Sequence, residues 1–290
     1  ENLAVRMVAD GGLFSDGEQR YLPVLSNKQR LTESVLLDVN GAGTHTFSLE
    51  SLFNGHSKTV SRPEMWIEFT GNPMWYAIQA LKVVSLSEND NALSWASAYY
   101  ANALLGHLAE AEPRIADSLK VEGLEGKLLD AKLKMKDLQL GDGSWSWYKG
   151  MDGSLYMTLS ITQLLARLQQ MADGFGDVEV SGMYQKALAY LDKQVTEEVH
   201  RMKEAEKRSQ QEISPSEWTL QYLYIKALDK DKKKENEVTR YLVDKLTKMS
   251  ERLTIYGKAM SAIVLQEAGK KKEAKEFLQS MMQYSVMKPE

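Results

Sequence analysis

The sequence contains no cysteine among its 290 residues. That absence excludes disulfides, thiolate nucleophiles and thiolate metal sites together. It assigns no compartment, because periplasmic proteins can lack cysteine too. Long apolar runs are also missing: no segment approaches the roughly 20 apolar residues needed to span a bilayer. Nor is there a surplus of positive charge. The formal net charge is −4, and no stretch forms a basic stripe, so nucleic acid is not an expected partner. The lysine-rich runs at 229–237 and 270–276 are interspersed with acids and read as solvated helix ends. The four histidines (His45, His56, His107, His200) are scattered, with no HExxH and no i, i+4 pair, so no metal is expected. Phosphate-loop, dinucleotide and G-x-S-x-G patterns are missing as well, which leaves no expected cofactor and no positive sign of catalysis. The chain opens "ENLAVRMVADGG", with neither an initiator Met nor a signal-like start. It reads as a piece of something larger whose targeting information lies elsewhere.

What is present is ordinary for a folded protein. Hydrophobic residues make up 43% and charged residues 26%, in a chain long enough for one and a half to two domains. The hydrophobic period then divides it. Over 1–71, short apolar or alternating runs at 19–25, 32–40, 45–52 and 64–70 are separated by "DGG", "SDGE", "NGAG" and "NGHS". Such punctuation predicts a small antiparallel, β-sandwich-like layer, part of a larger β domain, whose second face needs a cover. Beyond it, Asn72 suits an N-cap and Pro73 the first helical position. From there the pattern predicts helices near 73–82, 91–109, 114–138, 154–172, 181–209, 215–229, 234–249, 253–268 and 271–284. Leu220, Leu223, Tyr224 and Ala227 share a face, and so do Ile255, Ala259, Ile263 and Leu265. Short loops make consecutive helices antiparallel hairpins. Without an exact repeat period, 72–290 reads as an α/α toroid, complete or truncated, and the whole chain as α+β.

The stretch "DLQLGDGSWSWYKGMDGSLYMTLSITQLLARL" (137–168) is the chemically unusual one. It sets Trp145, Trp147 and Tyr148 in a glycine-rich loop behind Asp142. The aromatics either plug diverging helix ends, with Gly143 allowing close or left-handed backbone approach, or form a platform for carbohydrate or peptide. A third reading is a catalytic pocket, with Asp142 and Asp152 as paired carboxylates of the kind glycosidases use. Against that, Asp before Gly is common turn chemistry. Gln139, Gly143 and Trp145 also resemble the short Gln-x-x-x-Gly-x-Trp pattern of terpenoid-cyclase barrels, where it ties helix ends to the turn joining them.

The order of "SDGEQRYLPVLSNKQRLTESVLLDVNG", "FSLESLFN", "WIEFTGNPMWYAIQAL", "SWASAYYANALL" and "GDGSWSWYKGMDGSLYMTLSITQLLARL" resembles the bacterial alpha-2-macroglobulin family over roughly residues 10–175. The resemblance implies an interrupted β domain followed by a helical toroid, the thioester domain, within a large protease-trapping inhibitor. Such proteins reside in the periplasm or cell envelope, often anchored as lipoproteins. Their defining chemistry is a thioester between the Cys and Gln of a Cys-x-Glu-Gln motif. The matching window here, "SENDNALS", has Ser87, Glu88, Asn89 and Asp90 and neither Cys nor Gln. Covalent capture is therefore out of reach. What the resemblance implies is a non-enzymatic, thioester-deficient endopeptidase inhibitor that partners the other domains of its own protein and takes proteases as targets. An α/α-toroid protein that binds or acts on glycans is the alternative. Two further stretches fit a piece of a larger protein. The segment 196–212, with Glu197–Arg201 and Glu204–Arg208 spaced for ion pairs, reads as an exposed helix. The methionine-rich end stops where the family continues into another β segment.

Overall fold

The computed structural model describes residues 2–24, 27–29, 31–37, 39, 41–50, 64–72, 74–87, 89–112, 114, 122–171, 177–229, 236–248 and 253–285. The chain divides into two units, Glu1–Ile67 and Glu68–Met287, so the boundary falls a few residues before the change of period at 71.

The first unit contains one antiparallel hairpin. Strand β1 (Asn2–Asp10) pairs with β2 (Ser15–Pro23) in a register running from Asn2 opposite Pro23 to Asp10 opposite Ser15. The Asp10 carboxylate accepts from the Gly12 N–H at 2.9 Å, and Gly12 takes a φ of 83° that suits only a residue without Cβ. Apart from half-buried Val5, every residue of both strands is exposed. The expected antiparallel β segment is present as this hairpin, and of the four runs expected as strands 19–25 contributes one, as the end of β2. Among the described residues, 31–37, 41–49 and 64–70 form no ladder, and 51–63 lie outside them. Strand propensity expresses burial against neighbours, and these apolar side chains have none: Leu36 is 84% exposed, Trp66 82% and Phe69 90%.

The second unit is helical, and polar caps set where its helices start. Helix α1 (Met74–Val84) follows Asn72, whose side chain accepts from the Met74 N–H at 3.0 Å. Helix α2 (Ala92–Ala111) is capped by Asn91, and α3 (Leu124–Leu138) follows a left-handed Gly123. After two short strands, β3 (Trp145–Ser146) and β4 (Gly153–Ser154), comes α4 (Leu155–Met171). Asp177 caps α5 (Val178–Ser209) by accepting from two backbone N–H groups, and α6 (Glu217–Leu228) follows Ser216. Asn236 caps α7 (Glu237–Leu246), Thr254 caps α8 (Ile255–Glu267), and α9 (Lys271–Met282) closes the described helices. Each side-chain cap satisfies N–H groups that would otherwise lack an intrahelical partner.

The helices alternate between two layers. Helices α2, α4, α6 and α8 pack side by side in that order. Side-chain pairs show neighbours in this layer running parallel: Gln163 meets Gln221, Arg167 meets Tyr224, Gln170 meets Leu228, and Glu217 meets Thr254. Helices α3, α5 and α7 make the second layer, again parallel to one another, joined by Lys132–Asp177, Lys136–Glu179, Lys203–Glu237 and Tyr241–Glu206. One hydrophobic core runs between the layers, with Trp145, Tyr184, Tyr222, Phe277, Met135 and Met157 fully buried.

Two expected details need correcting. Of the expected α8 face Leu265 is buried, but Ile255 and Ile263 are 53% and 42% exposed, and Met260 and Val264 join Leu265 on the side turned to the core. Spacing of i, i+4 finds a face but does not say which way it points. On α5, Arg201 pairs with Glu198 and Lys207 with Glu204, both one turn apart, in place of the expected pairs.

Candidate functional site

The aromatic loop is built around Gln139 and Gly143. Gln139, the C-cap of α3, donates through Nε2 to the Gly143 carbonyl at 3.1 Å and to the Met183 carbonyl of α5 at 2.9 Å. Gly143 has φ 93°, and a Cβ there would lie 2.2 Å from the Lys186 carbonyl oxygen. The loop backbone thus rests directly on α5. Trp145 then enters the core with no exposed surface. Its indole Nε1 donates to the Met135 carbonyl of α3 at 3.0 Å, and its backbone N–H donates to Thr158 Oγ1 of α4 at 2.9 Å. One turn therefore ties α3, α4 and α5 together. The three-residue likeness to the terpenoid-cyclase pattern corresponds here to just such a tie.

The neighbouring aromatics face outward. Trp147 is 42% exposed and stacks on Tyr156 of α4, with ring centroids 5.9 Å apart and planes 13° from parallel. Tyr148 is exposed beside them. Of the plug and platform readings, Trp145 takes the first, while Trp147, Tyr148 and Tyr156 retain the surface that the second requires. Nothing in the sequence period flags Tyr156, because the stack depends on how the loop folds back onto α4.

Asp142 is committed to the turn. Its carboxylate accepts from the Ser144 hydroxyl at 2.6 Å and the Ser144 N–H at 3.0 Å. These bonds, the hydroxyl foremost, hold its pKa below the usual carboxylate range. A general acid needs the opposite shift. Asp152 lies in the same loop and is exposed. Among the described residues no cluster of three or more His, Asp or Glu could hold a metal ion, and no helix is long and apolar enough to cross a membrane.

Residues 87 and 89–91 form a helix entrance. Ser87 Oγ donates to the Asn89 carbonyl at 2.8 Å. Asp90 accepts from the Trp95 indole at 2.7 Å and lies 3.6 Å from the Lys134 ammonium; the indole bond, then Lys134, lower its pKa. Asn91 Oδ1 accepts from the Ser94 N–H at 2.9 Å and so starts α2. Glu88 lies outside the described residues. The Ala92 N–H donates to the Trp147 carbonyl at 3.2 Å, which brings this window beside the aromatic loop.

A second group is not legible in the sequence. Gln163 and Arg167 of α4, Gln221 and Tyr224 of α6 and Tyr256 of α8 form a linked polar and aromatic seam. Its signal is faint: Gln163 and Arg167 stand four apart in a helix that carries several other polar residues. Comparison with known proteins finds no matching family model, no matching curated protein and no matching solved structure.

Proposed function

We propose that this chain is a non-catalytic scaffold from a bacterial alpha-2-macroglobulin-like protein, and that the whole protein inhibits endopeptidases without a thioester. On this reading the two helical layers form an α/α toroid, wholly or in part, and the protein works in the periplasm or cell envelope. The observation that carries the proposal is the 87–91 window. Three of its side chains are held in local bonds: Ser87 to the Asn89 carbonyl, Asp90 to the Trp95 indole and Asn91 to the Ser94 N–H. The alternating layers and the tied Gly143–Trp145 turn add support, since both suit a rigid scaffold.

Two readouts test it. Methylamine should add no mass to the chain, and any endopeptidase complex should dissociate fully in hot detergent. A methylamine adduct within 87–94, or a detergent-resistant complex, would overturn non-covalent action. Failure to retain any of a panel of serine, cysteine and metallo-endopeptidases would remove the inhibitor reading.

The stacked Trp147–Tyr156 pair favours a second reading, a glycan-binding protein, because exposed aromatic faces pack against sugar rings. Binding to a glycan array that is lost in Trp147→Ala would select it.

A further inference from the structure

The seam across α4, α6 and α8 carries a cation that no acid pairs with among the described residues. Arg167 is half-buried. Its Nε donates to the Tyr224 hydroxyl at 3.4 Å, and its guanidinium carbon lies 5.6 Å from the Tyr224 ring centroid. Among the described residues it has no ion pair; Lys132, Lys226 and Lys245, each with little exposure, contact a carboxylate, while buried Lys258 is held by the Ser280 hydroxyl and the Tyr284 ring. Withdrawing a charge from water without a counter-charge is costly, and a ring face offsets only part of that cost.

The surroundings are neutral donors and aromatic faces. Gln163 is 7% exposed; it donates to the Tyr256 hydroxyl at 3.2 Å and accepts from Gln221 Nε2 at 2.9 Å. That chain fixes Tyr256 one helical turn from Arg167. On the α2 side, the Tyr100 hydroxyl contacts Met171 Sδ at 3.6 Å. The guanidinium keeps most of its five N–H donors for a ligand.

We propose that Arg167, framed by Tyr100, Gln163, Tyr224 and Tyr256, is a binding site for a monocarboxylate. The guanidinium fork matches a carboxylate in two parallel hydrogen bonds. One positive charge among neutral groups balances a monoanion, and a phosphate dianion would leave an uncompensated charge in a partly desolvated place. The Tyr224 ring against the guanidinium, with half-exposed Tyr256 bonded to neighbouring Gln163, favours a carboxylate attached to a ring or an apolar stem. A free small carboxylate and the Asp or Glu side chain of a polypeptide offer the same chemistry. The site stands independently of the protease-trap reading.

The test uses the full chain and follows the Arg167 Nε resonance by NMR. Benzoate should shift it saturably, while the neutral isostere benzamide should not. Arg167→Gln should weaken benzoate binding by about tenfold or more, as expected for loss of a charge-assisted bidentate contact. If that variant fails to fold, Arg167→Lys keeps the charge, loses the fork and should bind several-fold more weakly. The blocked tripeptide acetyl-Phe-Glu-Phe-amide, against its Gln counterpart, assigns the source. Tighter binding than benzoate points to a polypeptide side chain, and weaker binding to a free carboxylate. Equal binding of benzoate and benzamide, no benzoate binding, stronger binding of inorganic phosphate, or no effect of either Arg167 change would overturn the proposal.

Discussion

Trp145 and Trp147 stand two residues apart and do different jobs. Trp145 is fully buried with its indole bonded to the α3 backbone, so Trp145→Ala leaves a large cavity and removes the indole bond to the Met135 carbonyl, which keeps only the Gln139 N–H. The expected loss is about 3–5 kcal/mol in urea unfolding. Trp147→Ala removes a surface stack and should cost less than about 1 kcal/mol. Gly143→Ala should be as harmful as many core changes. The left-handed backbone alone costs about 1–3 kcal/mol in a non-glycine residue, and the added Cβ meets the Lys186 carbonyl. Melting all three variants side by side checks this order. At this scale the sequence told a good deal. Gln139, Gly143 and Trp145 are legible because a tight turn with one large side chain is a local arrangement. Which tryptophan goes inside was not legible, because β3 ends at Ser146 and the backbone then turns away from the strand direction. Arg167 was not legible either, since its meaning lies in what α6 and α8 bring to it.

Among the elements, the end of α5 is held most firmly by a single acid. Glu206 accepts from the Lys245 ammonium, from the Tyr241 hydroxyl at 2.9 Å and from the Ile213 N–H at 2.8 Å. It thereby joins α5, α7 and the loop leading into α6. Burial pushes its pKa up, but Lys245, the Ile213 N–H and Tyr241 together pull it down to about 2 from an ordinary 4.5. A depressed folded-state value means the contribution is complete above the unfolded pKa. It is then lost as pH falls from about 4.5 towards about 2. At roughly 1.4 kcal/mol per unit, the carboxylate contributes on the order of 3–4 kcal/mol at neutral pH, since its side chain is only 21% exposed. Glu206→Gln should lower stability at pH 7 and flatten this part of the acid limb, read from unfolding free energies between pH 2 and 7. An unchanged acid limb would show that the network is not formed in solution. The helices themselves were readable from capping residues and period, and most boundaries fall within about three residues of expectation, a normal uncertainty for helix ends. The strands were not, because alternation marks a face that could be buried, and pairing depends on a partner that local sequence does not specify.

At the scale of the whole chain, the two units differ in how much they bury. The β1–β2 hairpin has side chains exposed on both faces, and an isolated two-stranded hairpin is marginal at best in water. Residues 1–67 expressed alone should therefore show no cooperative unfolding, whereas 68–287 should keep its helical circular dichroism and melt in one transition. A cooperative melt of the short piece would overturn this view of the first unit. The alternation of two layers was foreseeable from short loops between amphipathic segments, but the order of neighbours within a layer was not. That order has a kinetic consequence. Since each helix leans mainly on those next to it in the stack, opening can begin at either end without disturbing the middle, as in linear repeat proteins. The turn that Trp145 anchors joins three successive helices near the centre and opposes that unzipping. Amide hydrogen exchange should then be graded: fastest in α1 and α9, slowest around α3, α4 and the first half of α5, with local opening at the ends reaching deuterium long before the chain as a whole unfolds.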